Sequence, residues 1–286
     1  MIESPTLDGK GMSPRSAGLL ARWGAPRWLR QISLVLGAAI LLTVLFSSIF
    51  ASYISPYPPN EQNLANTLQP PSQAHPFGTD NFGRDVFSRV LHAGKLDMTI
   101  GVLCVLFPWI IGVFLGCLAG YLGGLSDTVI MRTVDVFTAF PFLVLAIAII
   151  AILGAGLTSM VVALTLAGWT AYTRIVRGEI LVVKRSEFIQ AARALGYSNM
   201  RIMLRHVLPN VVTPAVIFAM ADIILVILST TALSFLGLGV QPPTAEWGSM
   251  IAEGRNFIMT AWWIVTFPGL AIMVVGLGFS LFGDGL

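Results

Sequence analysis

Charge is scarce in this chain. Asp, Glu, Lys and Arg make up 11% of its 286 residues, where soluble globular domains carry roughly 25%. Set against 56% hydrophobic residues and a mean hydropathy of +0.81, that shortage excludes a soluble enzyme and a disordered chain. Histidine is limited to three residues, none with a Ser or Cys partner that would suggest nucleophilic catalysis. Cysteine is limited to Cys104 and Cys117; thirteen residues of helix would hold them about 20 Å apart, too far for a disulfide. A glycine-rich phosphate loop, a heptad array and low-complexity tracts are also lacking. Once the apolar runs are assigned to spans, no room is left for an ATP-hydrolysing domain.

Long apolar runs are abundant, and they divide the chain. Residues 1–31 form a polar tail with Lys10, Arg15, Arg22, Arg27 and Arg30. The first apolar run starts too late for a cleaved signal peptide, so residues 32–54 read as a retained first span. Residues 55–96 begin with Pro56, Pro58 and Pro59, which cannot continue a helix, and read as an external loop. Residues 97–286 hold five further spans. Met98 to Ser126 is the second. Val136 to Thr173 is free of charge over 38 residues; as one helix it would be about 57 Å long, nearly twice the hydrocarbon core. It therefore folds back, at Gly154-Ala-Gly156, into spans three and four. Arg132 and Asp135 open span three and share a helix face, so they can pair. Pro209 to Leu236 is span five, and Trp262 to Phe282 is span six, with Trp262-Trp263 as an interfacial anchor. The net charge of +3 is a question of membrane side rather than of nucleic acid. Six spans place thirteen of the seventeen Lys and Arg on one side with both termini, which is the inner side by the positive-inside rule. The expected fold class is all-α: a polytopic membrane protein with six transmembrane helices.

Residues 174–209 carry the most information, with seven basic residues. From Glu187 the chain reads as a short amphipathic helix, with Phe188, Ala191, Ala192 and Leu195 at helical spacing. Gly196 suits the left-handed position that ends a helix. Ser198 can cap a second helix, whose Met200, Met203 and Leu204 offer an adaptable apolar face. Pro209 then marks the entry into the membrane. A stiff helix pair on an inner loop is something a moving partner can push against.

Gln190-Ala191-Ala192-x3-Gly196-x9-His206-x-Leu208-Pro209 resembles the EAA loop of binding-protein-dependent ABC importer permeases, with Gln190 where that pattern has Glu. His75-Pro-Phe-Gly-Thr-Asp80-Asn-Phe-Gly-Arg84-Asp85-Val-Phe-Ser-Arg89, Leu233-Ser-Phe-Leu-Gly-Leu-Gly-Val-Gln-Pro-Pro243 and Trp247-Gly248 resemble the C-type permease subunit of peptide and nickel importers. The resemblance implies the type I permease fold in a bacterial inner membrane. It also implies a second homologous permease, two ABC ATPases holding ATP and magnesium, an external or periplasmic substrate-binding protein and surrounding lipid. No nucleic acid and no cofactor in this chain are implied. Glu187, Gln190, Ala191, Ala192, Leu195, Gly196, Met200, Met203, Leu204, His206 and Pro209 are then the residues expected to couple to an ATPase. Asp80, Arg84 and Asp85 are candidates for contact with the binding protein, with Arg84 and Asp85 also readable as a structural pair. Members of this family carry a short charged tail beyond the Gly-Asp-Gly-Leu286 position.

Two assignments stay open on the residues alone. Asp222, a carboxylate within span five, either faces the translocation route and meets a cationic end of the substrate or pairs with a neighbouring helix. His75, His92, Asp80 and Asp85 fit no standard zinc spacing, so no metal site is expected. The resemblance points to a di- or oligopeptide as cargo, with nickel chelates, opines and glutathione-like solutes as alternatives. An ion-coupled secondary transporter centred on Asp222, or a structural scaffold, would leave the basic loop unexplained.

Overall fold

The computed structural model describes residues 27–285; the basic residues Lys10, Arg15 and Arg22 of the tail lie outside that range. The architecture is helical: α1 (Arg27–Ile49), α2 (Val86–Leu122), α3 (Gly124–Thr138), α4 (Phe142–Leu153), α5 (Leu157–Val183), α6 (Glu187–Ala194), α7 (Asn199–Ile202), α8 (Leu208–Phe235), α9 (Trp247–Gly254) and α10 (Trp263–Gly285). Among the described residues the sole β contact is an isolated antiparallel bridge between Thr79 and Asp85. Five helices are long and apolar enough to cross a membrane, and α3 with α4 make a sixth crossing if that bent pair is one span.

The bend departs from the straight third span expected from hydropathy. α3 and α4 meet at 88°. The cause is Pro141, which lacks an amide hydrogen and drives Phe140 out of the helical region. The next expectation holds. α4 stops at Gly154, φ 89°, and α5 starts after Gly156, so the charge-free run folds back where two glycines flank an alanine.

α2 begins at Val86, well before the charge-free stretch at Met98. Asp85 starts it, accepting from the Ser88 N–H at 2.8 Å, and Arg89 and Asp97 are buried within it. Similarly, α5 continues to Val183, so Arg174 and Arg177 belong to a helix rather than to the basic loop. Both reach α3. Arg177 forms a two-pronged ion pair with Asp127, at 2.5 and 2.7 Å. Arg174 meets Asp135 at 3.2 Å, closer than Arg132 does at 3.9 Å.

α5 is the least hydropathic of the crossing helices and the most enclosed. Surrounded by protein, it can carry Thr170, Tyr172 and Thr173 without exposing them to lipid. Its main partner is α2, and the two approach closely along Gly112, Gly116 and Gly120. A Cβ at Gly116 would stand 2.8 Å from Val176 Cβ and 2.9 Å from the Thr173 carbonyl. Small residues spaced by four bring helix backbones together in lipid, where the hydrophobic effect does not drive association. At the other flank α1 packs on α10, against Gly278.

Two apolar clusters result. The larger joins α2, α5, α8, α9 and α10 from Val86 to Phe279. The smaller occupies the opposite end of α2 and gathers Val113, Cys117, Val176 and Ile180 around Ile189, Ala192, Ile202 and Val207. The loop between α5 and α8 is thereby built into the helical body.

Replacing Gly116 with Leu should therefore cost most of the monodisperse protein recovered in mild detergent. Gly178→Ala, at a site with open space around it, should melt at the same temperature or higher, since alanine favours a helix interior over glycine by about 0.5–1 kcal/mol. Size-exclusion profiles and melting curves of both variants check this.

Candidate functional site

The site is the loop between α5 and α8, and its geometry follows from three local features. First, α6 ends in a Schellman motif: the Gly196 N–H donates to the Arg193 carbonyl at 2.9 Å, and the Tyr197 N–H to the Ala192 carbonyl at 3.2 Å. Gly196 has φ 78°, and a Cβ there would meet nothing within 4 Å. A side chain is thus excluded by backbone strain, about 1–2 kcal/mol, not by crowding. Second, the Ser198 hydroxyl caps α7, accepting from the Arg201 N–H at 3.4 Å. Third, Met203–Val207 form a π-helical segment that carries α7 into α8. Pro209 explains it. Proline offers no N–H to the Arg205 carbonyl and its ring crowds that carbonyl, and the wider turn, closed by Leu208 N–H to the Met203 carbonyl, relieves both. The second helix is continuous with α8, so the sharp division expected at Pro209 is absent.

The loop has two faces. Ile189, Ala192, Ile202 and Val207 are buried in the smaller cluster. Phe188, Leu195, Met200 and Leu204 project outward, with exposures of 48, 73, 65 and 56%. The grouping of Ala192 with Phe188, Ala191 and Leu195 is corrected here: Ala192 faces inward with Ile189, while the other three face out. Arg193, Arg201 and Arg205 are exposed on the same loop. Met203 and His206 are half-buried, and Glu187 and Gln190 exposed. Gln190 Nε2 donates to the Arg185 carbonyl at 3.1 Å, a bond that a carboxylate could not make.

The loop is also tied to α2. Lys184 Nζ donates to the Tyr121 carbonyl at 2.8 Å, and the Tyr121 hydroxyl to Asn199 Oδ1 at 3.1 Å. Tyr197 lies between the Arg201 guanidinium, 5.3 Å from its centroid, and the stacked His206 ring at 6.0 Å.

Asp222 has a partner on a neighbouring helix: the Tyr172 hydroxyl donates to its Oδ2 at 2.7 Å. It also lines a cavity of about 680 Å³ between α3, α4, α5 and α8. The pairing with a neighbouring helix is thus found, and the carboxylate also borders open space.

At the far end of α2, Asp80, Arg84 and Asp85 are buried, at 3, 2 and 2% exposure. Arg84 Nε donates to Asp80 at 2.5 Å and its Nη2 to Glu253 at 2.6 Å. Asp85 holds His75 Nδ1 at 2.9 Å and the Ser88 hydroxyl at 2.6 Å. Arg89 joins them, 3.6 Å from Glu253. These side chains are occupied with one another and almost fully enclosed, which leaves them little surface for the contact with a binding protein expected of them. Arg84 and Asp85 do not pair with each other. Trp263 is no interfacial anchor either: it is buried and donates to the Thr79 carbonyl at 3.0 Å. Trp262 remains half exposed.

Comparison with known proteins fixes the context. The family described as binding-protein-dependent transport system inner membrane component matches residues 112–286. The chain belongs to that family. The N-terminal transmembrane domain of oligopeptide transport permease C matches residues 27–71. The probable D,D-dipeptide transport system permease protein DdpC of Escherichia coli K12 is 42% identical over 252 residues, covering 88% of this chain and 85% of the relative. The dipeptide transport system permease protein DppC of Alkalihalophilus pseudofirmus is also 42% identical over 252 residues, covering 88% and 83%. A glutathione transport system permease protein, GsiD of Escherichia coli O6:K15:H31, is 43% identical over 261 residues, covering 91% and 86%. In fold, the chain is similar to the MetNI methionine ABC transporter in an inward-facing conformation, with a TM-score of 0.55 at 20% identity, covering 68% of this chain and 93% of that one.

For an ABC importer permease, the sequence motif located the loop but missed what stiffens it: Tyr121, Lys184 and Tyr197. Tyr197 follows the helix-ending Gly196 and was open to detection as an aromatic one position beyond a glycine cap. Tyr121 and Lys184 gave no local signal, since they meet across 63 residues of chain.

Arg84→Met removes the two short ion pairs to Asp80 and Glu253 and leaves them only the longer ones to Arg89, at 3.8 and 3.6 Å. Breaking a buried ion pair in this way costs roughly 3–5 kcal/mol, so the purified variant should unfold at markedly lower temperature than wild type in a thermal melt. An unchanged melt would show that the buried set is not holding this end of the permease together.

Proposed function

We propose that this chain is one of two homologous permease subunits of an ATP-driven importer for di- or oligopeptides, forming half of its translocation pathway. The observation that carries the proposal is the loop whose inner face is fixed into the helical body while Phe188, Leu195, Met200 and Leu204 are exposed on it together with Arg193, Arg201 and Arg205. Such a loop fits a docking groove on a protein partner, and its arginines suit acidic groups there. The partners are two ATPase subunits, which hold the ATP and magnesium; this chain hydrolyses nothing. The loop lies in the cytoplasm with both chain termini, in keeping with the bias of Lys and Arg. An external substrate-binding protein delivers the cargo to the opposite end, where exposed residues such as Glu61, Leu64 and Phe82 are available in place of the buried ion pairs.

Coupling follows from the contacts. When ATP draws the two ATPases together, the docked α6 and α7 move with them. Ile189, Ala192, Ile202 and Val207 transmit that motion to α2, α5 and α8, and α5 and α8 carry the wall of the 680 Å³ cavity. The switch in access requires the ATPases to bind the two states with different affinity. Relatives named for dipeptides favour a peptide cargo; the 43% identical glutathione permease favours glutathione, itself a peptide-like solute, as the second reading.

A tagged wild-type chain, purified in mild detergent from its own cells, should bring down a second permease and ATPase subunits. Gly196→Val, which places a β-branched residue in a left-handed position, should retain the second permease and lose the ATPases; Gly196→Asp should do so more weakly. Wild type recovered alone after crosslinking would refute the importer reading.

A further inference from the structure

We infer that Asp222, held by Tyr172, is the point at which a peptide in transit presents its free ammonium group. This inference rests on the peptide-importer reading above. Asp222 stands near the middle of α8 and Tyr172 near the middle of α5, so the pair sits midway along two crossing helices. Tyr172 is fully buried, edge-on to Phe218 with centroids 5.1 Å apart, and its hydroxyl fixes one carboxylate oxygen. Among the described residues the other oxygen, Oδ1, has no donor, and no Lys, Arg or His lies within ion-pair distance of the carboxylate. The nearby arginines of α5 are engaged elsewhere, Arg174 with Asp135 and Arg177 with Asp127.

The surroundings specify the missing partner. Asp222 is the one charged residue lining the cavity. Phe137, Phe140 and Phe142 line it at the Pro141 bend, and Thr170 and Ser229 supply hydroxyls. The volume of about 680 Å³ is in the range of cavities that enclose a small organic molecule. A carboxylate at this depth is costly without a counter-charge. A primary ammonium provides it through a charge-assisted hydrogen bond, and the aromatic rings favour the same cation. A metal ion is a poor fit: one carboxylate supplies too few oxygens, and among the described residues no group of three metal-ligating side chains forms. The substrate's carboxylate end is repelled, so the site also orients the peptide, amino end towards Asp222.

The test uses the whole importer in proteoliposomes, with its second permease, ATPases and binding protein. Uptake of labelled dialanine is compared with uptake of N-acetyl-dialanine, each divided by the amount held by the binding protein, so that only the membrane step is read. Wild type should favour the free amine by about tenfold or more, as expected for a hydrogen bond between charged groups. Asp222→Asn should abolish the preference, Asp222→Glu should keep most of it, and Tyr172→Phe should reduce it. Asp222→Asn with the preference intact would overturn the inference. So would an equal loss for both probes or loss of the second permease from the complex, either of which would make Asp222 structural. If wild type carried neither probe, the peptide reading itself would fail and this site's ligand with it.

Discussion

Where Gly112, Gly116 and Gly120 face α5, α2 contributes no side chain to the contact and Tyr172, Val176 and Ile180 pack against its bare backbone; the remaining structure is placed by that contact. One end of α2 begins among the buried Asp80, Arg84, Asp85 and Arg89 set; the other delivers Tyr121 to the loop. α5 carries Tyr172, the two arginines that hold α3, and Lys184. Because lipid gives helices no hydrophobic reason to associate, close backbone approach has to do the work that a greasy core does in water. A shift along this seam would move the loop and the cavity wall together, and that is the property required of a machine driven from one end.

The placement of polar groups follows from the same constraint. Enclosed charged and hydroxyl side chains gather along α5, beside Asp222 and where α2 begins, as with Thr170, Tyr172, Thr173, Arg84 and Arg89. The lipid-facing surface is left to residues such as Val35, Leu42 and Phe114, exposed by 63, 63 and 62%. Against that background, the outward Phe188, Leu195, Met200 and Leu204 share their loop with the exposed Arg193, Arg201 and Arg205. Apolar side chains mixed with arginine suit an aqueous protein interface better than lipid.

Features governed by local backbone chemistry were legible in the sequence. Gly196 as a left-handed helix end, Ser198 as a cap and the fold-back at Gly154–Gly156 each depend on a few adjacent residues, and each is found. The absence of charge from Val136 onward hid the 88° break between α3 and α4; Pro141 was the available sign. Arg89 was taken for a loop residue because charge usually means water, yet it is buried within α2, as is Asp97. The burial of Asp80, Arg84 and Asp85 was hidden for the same reason. Their cancelling partner Glu253 lies 169 residues from Arg84, a separation that no local pattern can bridge. Which way the loop's apolar residues face was likewise set by the cluster under Ile189 and Ala192, not by helical spacing alone.

The central claim is that this loop meets the ATPases through its outward face. Single cysteines at Leu195, Met200 and, as a buried control, Ile189 test it most directly, in a chain whose Cys104 and Cys117 are replaced by serine. With a short thiol crosslinker in native membranes, Leu195→Cys and Met200→Cys should each join this chain to an ATPase subunit, and Ile189→Cys should not. Crosslinks from Ile189 alone, or none from either exposed position in an assembled and transporting complex, would contradict the account.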